Sequence, residues 1–128
     1  MSHTVLLIED NDQNRYLATF LLERNGYTVV STPDGPTGIA TAVATRPALI
    51  LLDIQLPGMD GYAVARALRA EASLAGTPIV AVTSYAMVGD REAALAAGCD
   101  GYIEKPIDPD SFVSELQRFL PDRPEGPS

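Results

Sequence analysis

Ala48-Leu-Ile-Leu-Leu-Asp-Ile-Gln-Leu-Pro-Gly58 decides the fold: five apolar residues run without a polar break into a carboxylate, and a turn signal follows at Pro57-Gly58. A strand with one wet face alternates, so Ala48–Leu52 reads as a strand covered on both sides, the habit of a parallel sheet. The same pattern recurs outward from it. Val5–Ile8 and Ile79–Val82 are apolar throughout and read as central strands, whereas the short Thr28–Ser31 and Gly101–Ile103 read as edges. Helix-forming stretches separate them, at Asp12–Asn25, Asp34–Thr45, Gly61–Ala70, Gly89–Ala97 and Pro109–Leu120. Strand and helix in strict alternation predict an α/β fold of repeated βα units around a five-stranded parallel sheet.

The punctuation agrees. Gly26 and Gly98 stand where C-terminal caps end helices, and Pro47 and Pro78 precede strands. Leu17, Phe20 and Leu21 are expected on one face of the first helix, and Phe112, Val113, Leu116 and Leu120 on one face of the last. The fourth helical stretch is nearly all alanine beyond Leu95, so it buries little bulk and is expected to be loose. At 128 residues the chain predicts one domain over residues 1–120 and a frayed tail over 121–128, Pro-Asp-Arg-Pro-Glu-Gly-Pro-Ser.

Composition narrows the function. Seventeen acids against nine bases give a net charge of −8, which repels phosphate backbones and disfavours direct nucleic-acid binding. No apolar run approaches the roughly eighteen residues of a membrane span, no signal peptide is expected, and a single cysteine, Cys99, excludes an internal disulfide. The expected location is the cytoplasm. Eight of the nine bases are arginine; only Lys105 is lysine, which points to a position that needs a compact ammonium.

In an open parallel sheet, ligands bind beyond the carboxyl ends of the strands. There the chain places Glu9-Asp10, Asp53, Thr83-Ser84 and Glu104-Lys105-Pro106. Carboxylates packed together repel unless a cation neutralises them, and a hard divalent ion such as Mg²⁺ is the natural partner. Asp10 and Asp53 suit direct ligation, with Glu9 acting through water. With Lys105 and Thr83 added, such a site can stabilise the charge of a transferring phosphoryl group, and a carboxylate there can be the nucleophile. Asp53, alone at the end of a central strand beside the Gln55-Leu56-Pro57-Gly58 loop, is the best placed.

The chain resembles the receiver domain of two-component response regulators over about residues 4–120. The matching words are Val5-Leu-Leu-Ile-Glu-Asp-Asn11, Leu51-Leu-Asp-Ile-Gln-Leu-Pro-Gly-Met-Asp-Gly61, Val80-Ala-Val-Thr-Ser84 and Tyr102-Ile-Glu-Lys-Pro-Ile107. The resemblance implies a doubly wound, flavodoxin-like sheet of order 2-1-3-4-5 with five helices. It implies that Asp53 accepts a phosphoryl group from a histidine kinase or histidine phosphotransfer protein. Glu9 and Asp10, with the backbone carbonyl of Gln55, would hold Mg²⁺ beside Asp53, Thr83 and Lys105 would contact the phosphoryl oxygens, and Lys105–Pro106 would be a cis peptide. Thr83 and Tyr102 would act as switch residues, remodelling the face of the fourth helix, fifth strand and fifth helix for a downstream protein target. Ala86 to Ile103 looks like the corresponding stretch of DivK-type single-domain regulators and of receivers in hybrid kinases. A switch that signals through its surface, rather than an enzyme, is the implied function.

Three positions depart from the family pattern or vary within it. Ser84 replaces a usual alanine or glycine, while Gln55 and Tyr85 occupy the variable positions that influence hydrolysis of the aspartyl phosphate. A Tyr85 ring that screens water predicts a long-lived phosphoryl state. Other residues read as structural: Asp60 as a cap of the third helix, Cys99 as a small buried residue and His3 as exposed. A rival reading is a small Mg²⁺-dependent phosphatase of the haloacid-dehalogenase type, since Asp10-Asn11-Asp12 mimics its signature. Against that, Asn14 stands where Thr or Val is wanted and no later acidic pair follows. A flavin or nucleotide carrier would need a Gly- or hydroxyl-rich loop after the first strand, which is absent.

Overall fold

A computed structural model describes residues 3–56, 58, 60–83 and 89–120. Strands β1 (Thr4–Ile8), β2 (Thr28–Thr32), β3 (Leu49–Asp53), β4 (Ile79–Thr83) and β5 (Gly101–Glu104) alternate with helices α1 (Asp12–Arg24), α2 (Gly35–Thr45), α3 (Gly61–Ala70), α4 (Asp90–Ala96) and α5 (Phe112–Gln117). All strand pairs are parallel and the order is β2-β1-β3-β4-β5, which leaves β2 and β5 as the edges.

Alternation along each central strand divides the core in two. Leu6, Ile8, Ile50, Leu52, Ile79 and Ala81 point to one face, where Ala42, Val64, Ala65, Leu68 and Ala94 of α2, α3 and α4 cover them. Val5, Leu7, Leu49, Leu51, Val80 and Val82 point to the other, under Ala18 and Leu22 of α1 and Phe112 and Leu116 of α5. Because both parities meet helices, every residue of β3 and β4 is buried, which is why neither strand tolerates a polar break before its last residue.

Several expectations change in detail. The buried line of α1 is Ala18 and Leu22, one turn apart, with Leu17 and Leu21 half-buried beside it. Phe20 falls on the far side of the helix, 44% exposed, where it stacks on Tyr16 at 6.2 Å and carries the Arg24 guanidinium at 5.6 Å. Helix α5 begins at Phe112 rather than Pro109. The Asp108 carboxylate accepts from the Asp110 N–H at 3.0 Å and its carbonyl from Ser111 and Phe112, so a turn precedes the helix. Beyond Gln117 the chain tightens into i to i+3 bonds, Phe119 to Leu116 at 2.9 Å and Leu120 to Gln117 at 3.4 Å. His3 is half-buried, since the ladder extends to it: its carbonyl accepts from the Thr28 N–H at 2.9 Å. The 121–128 tail lies outside the described residues.

Asp60 caps α3, accepting from the Tyr62 N–H at 3.1 Å, and Gly26 and Gly98 follow α1 and α4 at φ of 92° and 105°. Gly61 closes the loop that leaves β3: its N–H reaches the Ile54 carbonyl at 3.2 Å, and a Cβ there would lie 2.4 Å from the Ile54 Cα.

Sequence alone does not reveal the staple at the opposite end of the sheet. From the last turn of α3, Arg69 donates to the carbonyls of Leu74, Ala75, Thr77 and Gly98 and pairs with Asp100 at 2.9 Å. Asp100 in turn accepts from the Ile79 N–H at 2.9 Å, so one guanidinium ties α3 to the starts of β4 and β5. A lysine offers a point charge in place of this fork. Arg69→Lys is expected to cost about 2 kcal/mol, read as a lower urea midpoint with an unchanged denaturant slope. An unshifted midpoint would remove Arg69 from the account of stability.

Candidate functional site

The hydrogen-bond ladder runs one residue past the strands and so fixes the side chains at their ends. The Glu9 N–H bonds to the Thr32 carbonyl at 3.0 Å, Ile54 to Val82 at 3.0 Å, and Lys105 to Thr83 at 2.7 Å. Glu9, Asp53 and Thr83, each 3% exposed, are therefore held by sheet backbone on both sides of the point where β1, β3, β4 and β5 end.

Their charges meet at Lys105. Its ammonium lies 3.0 Å from Glu9 Oε1 and 3.2 Å from Asp53 Oδ2, with the lysine side chain itself nearly buried. The second oxygen of each carboxylate is held by main chain: Asp53 Oδ1 accepts from the Gln55 N–H at 2.9 Å, and Glu9 Oε2 from the Asn11 N–H at 3.2 Å. Burial pushes the Glu9 carboxyl above its ordinary range and the Asp53 charge adds to that, while Lys105 pulls it down.

Asp10 is exposed at the rim and completes the set. Glu9, Asp10 and Asp53 each offer an oxygen within 4.8 Å of the others, a group of hard donors that suits a divalent cation. One buried ammonium against three carboxylates leaves an excess of negative charge, so the donor chemistry fits a small, highly charged ion. Lys105–Pro106 is cis.

Gln55 and Thr83 are brought together in a way that sequence reasoning missed. The Gln55 amide donates to Thr83 Oγ1 at 2.9 Å, joining the loop after β3 to the end of β4 across 28 positions. Asn11 was also missed: besides its N–H contact to Glu9, its side chain caps α1 through the Asn14 N–H at 2.9 Å. An Asn just ahead of a helical stretch is a recognisable cap signal; the reach of Gln55 has no signature in one dimension.

Tyr102 stands farther along β5. Its hydroxyl is buried without a hydrogen-bond partner among the described residues, its ring packs against the α2, α3 and α4 side of the core, and the Arg91 guanidinium lies 5.8 Å from the ring centroid. Burial, aided by Asp90 and Glu104, raises its hydroxyl pKa. Cys99 is buried, and its thiol is pushed up to about 11, chiefly by burial. Ser84 and Tyr85 lie outside the described residues.

The phosphatase signature does not assemble. Asp12 is the first residue of α1, exposed and paired with Arg15 on its own helix, and is not a member of the carboxylate cluster.

Known proteins share this fold. A receiver domain of a sensor histidine kinase from Pseudomonas aeruginosa, PA1611, solved with a magnesium ion coordinated in its active-site cleft, superposes with a TM-score of 0.85 at 36% identity, covering 93% of this chain and 98% of that one. The chemotaxis response regulator CheY4 of Vibrio cholerae gives a TM-score of 0.89 at 28% identity over 94% of this chain and all of that one. In sequence, the polar-differentiation response regulator DivK of Brucella anthropi is 38% identical over 122 residues, 95% of this chain and 99% of its own length. The family model for the response regulator receiver domain matches residues 5–117, so with its sheet order and its strand-end site the chain belongs to the receiver domains of two-component response regulators.

Proposed function

We propose that Asp53 is the phosphoryl acceptor of this receiver and that Mg²⁺ is held by Glu9, Asp10, Asp53 and the backbone carbonyl of Gln55. The observation that carries this reading is the convergence of the buried Asp53 carboxylate with Lys105 at 3.2 Å and with the oxygens of Glu9 and Asp10. When bound, Mg²⁺ offsets the charge of the carboxylates and of the incoming phosphoryl oxygens. An Asp53 oxygen attacks the phosphorus of a phosphohistidine on a histidine kinase or phosphotransfer protein. The phosphorus–nitrogen bond breaks, the imidazole leaves with its electron pair, and an aspartyl phosphate remains. Lys105 answers the added charge as an ammonium already in place, and the Thr83 hydroxyl donates to a phosphoryl oxygen.

The output of a signalling switch, as distinct from a turnover enzyme, is a changed surface. The face formed by α4, β5 and α5 suits it, with Thr83 and Tyr102 as the switch residues. Within α4 only Ala94 is buried and Leu95 is 46% exposed, so little packing opposes a shift of that helix, and Leu95 offers an apolar contact to a downstream protein. A net charge of −8 argues for a protein target and against nucleic acid. No described helix is long and apolar enough to cross a membrane, and the cytoplasm, where kinases and phosphotransfer proteins display phosphohistidine, is the fitting compartment. Gln55 and Tyr85 would set the lifetime of the aspartyl phosphate, Tyr85 by screening water from it.

Incubation with acetyl phosphate and Mg²⁺ is expected to add one phosphoryl group by intact mass, and Asp53→Asn to abolish it. Multiple turnover of generic phosphoesters surviving Asp53→Asn but not Asp10→Asn would instead revive the phosphatase. Mg²⁺ at roughly a hundred times its Kd is expected to stabilise the fold by about 2.7 kcal/mol, a gain lost in Asp10→Asn; a melting temperature blind to Mg²⁺ counts against the site. In Mg²⁺ buffer, Tyr85→Ala is expected to shorten the phosphoryl half-life, and equal half-lives would dismiss the screen.

A further inference from the structure

Two hollows open side by side along β5, an edge strand of the sheet. The first, of about 250 Å³, lies at the start of the strand, where Arg91 of α4 and Arg118, the residue that ends α5, flank Gly101, Tyr102 and Phe119. Its floor is closely packed: the Phe119 ring comes within 2.4 Å of where a Cβ on Gly101 would stand. The second hollow, of about 240 Å³, lies at the end of the strand, where Glu104, Asp108 and Glu115 surround Ile103 and Phe112. Ile103 and Glu115 line both, so the two form one furrow along β5.

Charge changes sign from one end of this furrow to the other. At the first end the guanidiniums of Arg91 and Arg118 stand beside Asp100, a carboxylate already paired with Arg69 at 2.9 Å. At the second end three carboxylates are lined up with no base among them. No ion pair among the described residues engages Arg91, Arg118, Glu104 or Glu115. Exposed charges of this kind add little affinity each, but they penalise a partner that brings the same sign.

Resting on the reading of the α4, β5 and α5 face as the output surface, we infer that the furrow takes a protein segment of opposed charge. The segment is acidic over Arg91 and Arg118, apolar over Ile103 and Phe119, and basic where it meets Glu104, Asp108 and Glu115. From Gly101 to Glu104 the strand spans roughly 10 Å, so an extended segment changes sign within about three residues. A uniformly acidic segment meets like charge at one end and a uniformly basic one at the other. The order of charges therefore selects the partner, and its net charge does not.

Blocked ten-residue peptides are the probes: three glutamates, four neutral residues including two leucines, and three lysines, made in both orders. The controls carry the same centre flanked by glutamates alone or by lysines alone. Titrations followed by amide NMR shifts are made with Mg²⁺ and beryllofluoride, a tetrahedral phosphoryl mimic. One of the two bipolar peptides is expected to bind about three- to tenfold tighter than either control, with shifts gathered at Gly101, Ile103 and Phe119. Reversing the exposed Arg91→Glu and Arg118→Glu together is expected to hand the preference to the all-lysine peptide. Glu104→Lys with Glu115→Lys is expected to hand it to the all-glutamate peptide. A swapped preference is a result that misfolding does not produce.

Equal affinity for the bipolar peptides and either control overturns the inference, as do shifts gathered elsewhere or a preference that the reversals leave in place. Sedimentation that shows two copies of the chain joined through the furrow, closing it to every peptide, overturns it in favour of self-association. The output reading fails separately. A charge preference that holds, with affinities identical with and without beryllofluoride, supports the selectivity of the furrow and overturns its link to Asp53.

Discussion

A single ammonium buried between two carboxylates is the constraint on which this end of the molecule depends. Lys105 stands between Glu9 and Asp53, which joins the exits of β1, β3 and β5 through one charge. Buried ions cost several kcal/mol each to desolvate, and such a group persists only when paired and hydrogen-bonded. Each carboxylate is therefore also held by a main-chain N–H, from Asn11 or Gln55. The pairing is deliberately incomplete in charge, because Asp10 at the rim leaves negative charge in excess. A site in that condition favours a cation and, with it, the oxygens of a phosphoryl group. The sequence writes arginine at eight of nine basic positions and lysine here. A compact ammonium fits between two strand ends where a planar guanidinium would need room for a fork.

Much of this was readable in one dimension, for a physical reason. A parallel sheet covered on both faces leaves no freedom in its strands, so the uninterrupted Leu49–Leu52 and Ile79–Val82 runs announce themselves, and the first polar residue after each run marks the site. Asp53 and Thr83 were found in that way. The fold class and the edge positions of β2 and β5 followed from the same pattern. What was illegible depends on direction around a helix or on distance between loops. Phe20 shares an apolar neighbourhood with Leu17 and Leu21 in sequence, yet the buried line passes through Ala18 and Leu22. The start of α5 was set by a carboxylate turn at Asp108, not by the proline that follows it. Arg69 and Gln55 act across 31 and 28 positions, and nothing local marks either one.

The helices on the sheet carry unequal burdens. Under α1 and α5 the core holds Leu22, Phe112 and Leu116, large side chains that are fully buried. Under α4 it holds Ala94 and, just beyond the helix, Ala97 and Cys99. Dispersion and hydrophobic gain scale with the atoms packed, so the first pair of helices is fixed by bulk and α4 is held by little. Tyr102 lies beside α4, its hydroxyl buried with no hydrogen-bond partner among the described residues and its ring beneath a guanidinium. An unpaired buried hydroxyl is a cost that another arrangement of the same side chain would relieve.

These features form a chain of contacts from Asp53 to the surface. Asp53 is held by the backbone of Gln55, whose side chain is bonded to Thr83, the last residue of β4; Thr83 accepts from the Lys105 N–H through its carbonyl and pairs in register with Glu104. Tyr102 is two residues back along the same strand. A change of charge at Asp53 therefore reaches β5 by two routes, directly through the Lys105 side chain and through the β4 backbone that carries Thr83. Both routes end at the weakly packed α4. A perturbation worth one or two hydrogen bonds is small beside the bulk that fixes α1 and α5, but it is comparable to what holds a helix anchored largely by alanine. The bulk-packed helices thus keep the site in register, while α4, anchored by little, is free to answer it.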